Sequence, residues 1–338
     1  MGNPITYLTT TDLDQTQRDR SLLLVEASIQ AYCAYDKRQP AVCNLANVIP
    51  PQGYEIVDCW TGVDAIFGED RTVECYGVVF RSQQPPYTYI FAFRGTDSFK
   101  DLLDDFAFNF TAFKPYEKDL LVPSEVKVES GFYRIYSDAD NEAHVTSMQA
   151  QVFALVDKYA ASDKPIHELC ITGHSLGCTL STLFTLDLAL SRPHIKNVIS
   201  YNYASPRVGN AAFVEFYEKQ DPQKNSKTRT LRIQNLYDKV PCVPLKRVLN
   251  HKEYQHLSYA YLVSFYRKFR FDFRHIRGKL DIRDNHSVKN YQTVLACAFK
   301  STTGYCEETF DDGQGEKIIS VKPKTDPSIV CNWRRLPW

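Results

Sequence analysis

At 338 residues the chain is long enough to bury a sizeable core, in one large α/β domain or two modest ones. Hydrophobic side chains at 43% and charged ones at 24% exclude an intrinsically disordered chain. Forty Lys and Arg balance forty Asp and Glu, so the net charge argues against a nucleic-acid partner or a generally acidic one.

Residues 1–15 are polar, and Met1–Tyr7 lacks the basic region and apolar run of a secretory signal. No stretch approaches the roughly 18 continuous apolar residues of a membrane span. These features predict a cytoplasmic protein without a transmembrane segment, with export by another route left open. Met1-Gly2 with Thr6 formally fits a myristoylation pattern, but so short a match carries little weight. Ten cysteines contain no Cys-x-x-Cys pair, so no metal site is expected. Free, buried thiols are the simplest reading, with Cys33–Cys43 or Cys306–Cys331 as the disulfides of an exported chain.

Along the chain, Leu22, Val25, Ile29 and Tyr32 recur at spacings of three, four and three, which predicts an amphipathic helix over 17–35. A loop rich in proline follows over 40–53. Two apolar runs, 74–80 and 87–93, flank Ser82-Gln83-Gln84-Pro85-Pro86 and read as a hairpin ending in Arg94-Gly95-Thr96. Over 98–110, Phe99, Leu102, Leu103, Phe106 and Phe110 form the apolar stripe of a short helix. An ordinary surface helix packed on the core would look like this, and so would a lid over 97–113 whose apolar side chains face substrate. A second long helix is expected within 133–161.

Next comes the stretch around which the chain is organised. Residues 166–172 are an apolar run of strand length, 173–177 read Gly-His-Ser-Leu-Gly, and 179–190 carry the leucines of a buried helix. Strand, tight turn and helix are the setting in which Gly-x-Ser-x-Gly presents a nucleophile. Gly173 and Gly177 leave room for a strained turn, and the Leu176 N–H opens the helix where an oxyanion would form. Residues 197–203 and 230–236 read as further buried strands. Strands alternating with helices imply a mainly parallel sheet, with active residues at the carboxyl ends of its strands.

Phe265, Tyr266, Phe269, Phe271 and Phe273 interleave with six basic residues over 265–279. The pattern suits a solvated face with aromatic packing beneath it, or contact with anionic lipid headgroups or single-stranded nucleic acid. Residues 301–338 are weakly patterned and read as an extension packing on a domain of 1–300.

Serine needs a base, and the base needs an orienting acid. In the order serine, acid, histidine, Asp238 just past the 230–236 strand is the acid candidate. Four histidines follow it. Order and local context favour His286, with His256 the runner-up.

Several short motifs occur in sequence: Phe93-Arg94-Gly95-Thr96, Val128-x-x-Gly131-Phe132 with Tyr136, Gly173–Gly177 and Ser205–Asn210. Asp238-x-Val240-Pro241 and Asp284-Asn285-His286 with Tyr291 complete the set. In these the chain resembles the class 3 lipases, a fungal-lipase-like group of α/β-hydrolases, over about 20–295. The resemblance implies an α/β-hydrolase fold, Ser175 as nucleophile, His286 as base and Asp238 as acid. It implies an oxyanion hole from the N–H groups of Thr96 and Leu176, steadied by Asp105, and no metal or organic cofactor. It makes His256 a second, non-catalytic histidine. Three positions depart from the pattern: Glu129 replaces a histidine, Cys178 a small residue and Leu102 a lid tryptophan.

The expected function is hydrolysis of acylglycerol or other acyl esters, with a phospholipase A-type activity as the alternative. A lipase-like scaffold that binds an acyl ligand without turnover is the reading of another class. Peripheral contact with a lipid interface is a possible partner mode, and the sequence says nothing of oligomeric state.

Overall fold

A computed structural model describes residues 5–64, 72–96, 109–220, 230–244, 247–248, 252–268, 282–313 and 315–323. The first half of the described chain supplies strand β1 (Thr6–Leu8), helix α1 (Gln15–Cys33), strands β2 (Tyr54–Asp64), β3 (Thr72–Ser82) and β4 (Thr88–Phe93), and the pair β5 (Phe110–Ala112) and β6 (Lys127–Glu129). Helices α2 (Ser130–Ser137) and α3 (Met148–Ala160), strand β7 (Glu168–His174) and helix α4 (Leu176–Ser191) follow. Beyond them come β8 (Val198–Tyr203), α5 (Ala211–Lys219), β9 (Thr230–Asn235), and the short pair β10 (Arg247–Val248) and β11 (Lys252–Glu253). The chain then runs through β12 (Tyr259–Val263), β13 (Phe265–Lys268), α6 (Ile282–Asn285), α7 (Val288–Lys300), β14 (Thr309–Asp311) and β15 (Lys317–Ser320).

Eight strands form the central sheet in the order β1-β12-β9-β8-β7-β4-β3-β2. The pairs from β1 through to β4 are parallel, and β3 and β2 extend the sheet as an antiparallel edge. Side chains alternate across it. Tyr89, Phe91, Phe93, Leu169 and Ile171 enter one core with α2, α3 and α4. Ile90, Ala92, Cys170, Tyr201, Tyr203, Leu231 and Ile233 enter the other with α1 and α7. Burial on both faces is why these strands read as unbroken apolar runs.

Local chemistry starts and ties the helices. Asp14 caps α1 by accepting from the Gln17 N–H at 2.8 Å, while the Gln17 side chain reaches back to the Asp14 N–H at 2.9 Å. In α4 the buried Asp187 accepts from Tyr136 and Gln149 on one oxygen, and from Ser191 and the Tyr116 N–H on the other. Four donors on a carboxylate without a cation clamp α2, α3 and the loop before β6 onto this helix. Among the described residues no helix is long and apolar enough to cross a membrane.

The structure corrects several sequence expectations. The helix expected within 133–161 is present as α3, and what the expectation lacked is the end of α2 and the turn between them, in which Asp140 and Val145 exchange backbone hydrogen bonds. Phe110, counted in the helical stripe, belongs to β5, where it pairs with Glu129 and lies 4.3 Å from the Tyr254 ring, centroid to centroid. The rest of that stripe, with Phe99, Leu102, Leu103, Phe106 and Asp105, lies outside the described residues. The cysteines are not all free. Cys43 pairs with Cys75 and Cys297 with Cys306, so neither Cys33–Cys43 nor Cys306–Cys331 forms, and Cys242 is also disulfide-bonded. Cys33, Cys59, Cys170 and Cys178 remain thiols.

Residues 265–268 are a strand, and β14 and β15 complete its sheet in the order β13-β15-β14. Phe265 packs on Tyr291 and Tyr266 on Tyr237, while Arg267 pairs with Asp284 and Glu316. The start of the basic aromatic stretch is therefore a structural seam. Residues 269–281 lie outside the described set.

The two bonded pairs close loops of very different size, with sequence separations of 32 and 9. Replacing Cys43 and Cys75 together by Ser should cost about 3 kcal/mol in urea unfolding, and the Cys297/Cys306 double replacement somewhat less. Peptide mapping without reductant should recover both pairs. Finding all four residues alkylated in the native protein would contradict them.

Candidate active site

Ser175 stands between the carboxyl end of β7 and the first turn of α4, at φ 58° and ψ −128°. A side chain in this region of positive φ is strained, at a cost of about 1–3 kcal/mol that the surroundings must offset. The close approach of backbone explains the two flanking glycines. A Cβ on Gly173 would fall 2.4 Å from the Gly177 carbonyl, and one on Gly177 would fall 2.3 Å from the Phe93 carbonyl oxygen. The Ser175 N–H is held by the Tyr203 carbonyl at 3.1 Å, and the Ser175 carbonyl accepts from the Cys178 N–H at 3.0 Å. Cys178, unusual at its position, places its buried Sγ 3.0 Å from the Gly173 and Tyr203 carbonyls. Burial pushes that thiol well up, so it stays an S–H donor and bridges β7 to β8. The Ser175 Oγ is buried and makes no hydrogen bond among the described residues.

Asp238 lies three residues past β9, buried. Its Oδ2 accepts from His286 Nδ1 at 2.8 Å and from the Tyr291 hydroxyl at 2.9 Å, and its Oδ1 accepts from the Val240 N–H at 2.9 Å. Because Nδ1 faces a carboxylate it carries the ring hydrogen, which leaves Nε2 as the proton acceptor. Tyr291, from α7, also accepts from the Asn235 N–H at 2.7 Å. The Asn235 amide donates to the carbonyls of Phe265 and Asn285 at 2.8 and 2.9 Å, tying the histidine loop to the end of β9. The His286 ring lies against that of His174, the residue before Ser175, with centroids 4.4 Å apart, and among the described residues neither Ser175 Oγ nor His286 Nε2 makes a hydrogen bond.

His256 is engaged elsewhere. Its Nε2 donates to the Pro241 carbonyl at 2.7 Å. Burial, with Arg232 and Arg207 nearby, pushes its pKa well down. This separates the two histidines that sequence order left in competition.

The Arg94-Gly95-Thr96 loop runs beside the serine, since a Cβ on Gly95 would lie 3.1 Å from the Ser175 Cβ. Arg94 anchors the loop. Its N–H and Nε reach the Tyr76 and Cys75 carbonyls at 2.8 and 2.7 Å, it pairs with Glu74, and its guanidinium lies 3.9 Å above the Tyr35 ring. Leu176 directly follows Ser175, and its N–H, first in α4, has no acceptor within its own helix, while Thr96 follows the glycine that lies beside the serine. The arrangement can attack an electrophilic carbonyl, shuttle one proton and hold an oxyanion. Asn235 and Tyr32 have no local signal as site residues, because each acts on partners distant in sequence.

Residues 90–248 match the family model described as lipase (class 3). Over 198 residues the chain is 29% identical to a lipase of Rhizopus niveus, a match covering 57% of this chain and 46% of the relative. It is 26% identical over 191 residues to phospholipase A1-Igamma3, chloroplastic, of Arabidopsis thaliana, covering 51% of this chain and 33% of that one. The chain thus spans less than half the length of these curated relatives. Among solved structures, the nonglycosylated LIP2 lipase of Yarrowia lipolytica superposes with a TM-score of 0.53 at 22% identity, over 75% of this chain and 80% of that one. The fold is that of the α/β-hydrolases.

Glu129, which stands where the family motif has histidine, is buried at the start of α2 and accepts from the Phe132 N–H at 2.8 Å. Burial nevertheless lifts its pKa to about 7. A carboxyl raised in the folded state stabilises least when ionised, so its contribution is lost as pH rises from the unfolded value of about 4.3 through 7. The stability advantage of Glu129→Gln over wild type should therefore grow by about 2–3 kcal/mol between pH 5 and pH 8 in urea titrations. A difference independent of pH would contradict the assignment.

Proposed function

Because residues 90–248 belong to the class 3 lipases, we propose that this protein is a serine carboxylic ester hydrolase of acyl lipids, with acylglycerols as its first substrate class. The observation that carries the reading is the His286–Asp238 hydrogen bond beside a serine on a positive-φ turn. His286 Nε2 takes the Ser175 proton as Oγ attacks the ester carbonyl, and Asp238 holds the imidazole and stabilises its cation. The N–H groups of Thr96 and Leu176 receive the oxyanion, each worth about 3–4 kcal/mol in the transition state. The histidine then hands its proton to the departing alkoxide. Water, deprotonated by the same Nε2, cleaves the acyl-enzyme and restores Ser175.

Likeness to a plant phospholipase A1 supports a second reading, removal of one acyl chain from a phospholipid. The two differ in head group and share all the chemistry above. Two disulfides within the described residues also support residence in an oxidising compartment, against the expectation of a cytoplasmic protein.

Ser175→Ala should lower the hydrolysis of p-nitrophenyl esters by at least ~1,000-fold with little change in thermal midpoint. His256→Ala should retain turnover. Triacylglycerol emulsions and phosphatidylcholine vesicles, assayed in parallel, decide between the substrate readings. Equal activity of wild type and Ser175→Ala would sink the hydrolase assignment.

A further inference from the structure

The histidine of the Gly-His-Ser-Leu-Gly turn has no part in the proton transfers above, yet both of its nitrogens are engaged. His174 is 4% exposed and lies against His286 with the ring planes 34° apart. Its Nε2 is 2.8 Å from the His286 carbonyl oxygen. A carbonyl only accepts, so Nε2 carries the hydrogen and donates. The other nitrogen, Nδ1, is 2.9 Å from the Tyr32 hydroxyl near the end of α1. In a neutral ring with hydrogen on Nε2, Nδ1 is an acceptor and the tyrosine donates to it.

The ring is held neutral. Burial pushes the His174 pKa well down, the neighbouring His286 pushes the same way, and the accepting His286 carbonyl opposes them weakly. Among the described residues, the other rings against that of His174 are phenols, Tyr32 from α1 and Tyr291 from α7, at centroid distances of 5.8 and 6.1 Å. Neutrality matters because His286 becomes a cation in the transition state, and a second cation stacked on it would oppose that step.

The same tyrosine hydroxyl touches the oxyanion loop. A Cβ on Gly95 would fall 2.2 Å from the Tyr32 Oη and 2.6 Å from the His174 carbonyl oxygen. Three parts of the site distant in sequence therefore converge on one pair of side chains, the buried His174 and the half-buried Tyr32: the loop before Thr96, the turn bearing Ser175 and the loop bearing His286.

We propose that Tyr32 and His174 are positioning residues, a neutral hydrogen-bonded dyad that fixes the His286 main chain and so aims its imidazole at Ser175. The dyad rests on the hydrolase reading for its purpose, and its geometry can be tested apart from it. Asp238 orients the base through its side chain, whereas the dyad does so through its backbone. Misplacing a reacting group by about 1 Å costs up to ~100-fold in rate, which sets the scale of the effect.

The test uses the full chain with His174→Phe, His174→Gln, Tyr32→Phe and Ser175→Ala, assayed on a soluble short-chain p-nitrophenyl ester. His174→Phe keeps a ring but loses the donor, and its kcat should fall roughly 10- to 100-fold while KM changes less than about twofold. Glutamine places an amide N–H near Nε2, so His174→Gln should recover kcat to within about fivefold of wild type. Tyr32→Phe should fall between the two. Wild-type kcat in His174→Phe, or equal losses in the Phe and Gln variants, would overturn the dyad. Nitrogen NMR of the imidazoles in wild type and Ser175→Ala supplies a readout free of turnover. His174 should appear as the neutral Nε2–H tautomer from pH 5 to pH 8, and titration in that range or an Nδ1–H tautomer would overturn it. A wild type without ester hydrolysis would contradict the hydrolase reading alone, and the imidazole spectra would then decide the dyad.

Discussion

A serine held at φ 58° between a strand and a helix is the constraint on which the rest of this structure depends. The turn keeps Oγ clear of the sheet and puts the first N–H of α4 beside it. Nothing in a serine's own preferences favours that conformation. The neighbours impose it. Gly173 and Gly177 let two backbone segments approach within distances that a methyl group would forbid, the Tyr203 carbonyl fixes the Ser175 N–H, and the Cys178 thiol braces β7 against β8. Behind the turn, Asp187 gathers four donors onto α4, so the helix cannot rotate to relieve the strain without leaving a carboxylate unsatisfied.

The base is set by a second network that grows from the end of β9. Asn235 reaches forward to the carbonyls of Phe265 and Asn285, its own N–H goes to Tyr291, and Tyr291 returns to Asp238. The loop bearing His286 is thus bonded to the strand that ends at the acid. Arg267 adds an outer tie through Asp284 and Glu316, which brings the small C-terminal sheet into the support of this loop. The bonds among Asn235, Tyr291 and Asp238 lie in the low-dielectric interior, where each unmade partner would cost more than at the surface.

Much of this was legible in the sequence. The serine turn could be read because strand, glycine spacing and helix are all local, and the parallel strands could be read because burial on both faces leaves continuous apolar runs. Strand β2 has no clear alternating signature, because register shifts near Val57 and Trp60 interrupt its pairing with β3. The helix expected within 133–161 is present as α3, whereas the Asp140–Val145 turn that sets it off from α2 has no periodic signature. Cysteine spacing cannot give pairing, since Cys43 and Cys75 meet only once β3 is in the sheet. Order in the chain left His256 and His286 in competition, and they are separated by their partners, Asp238 on Nδ1 of His286 and the Pro241 carbonyl on Nε2 of His256. In the sequence Tyr32 is one more residue of an amphipathic stripe, and its hydroxyl gains meaning from a partner 142 residues away.

The most direct test of the central claim is the rate at which a fluorophosphonate modifies the protein, with the adduct located by mass spectrometry. A serine activated by a histidine that an aspartate holds should give a single adduct on Ser175. Asp238→Asn and His286→Ala should each slow its formation by roughly 1,000-fold or more. An adduct on another residue, or an undiminished rate in either variant, would contradict the account.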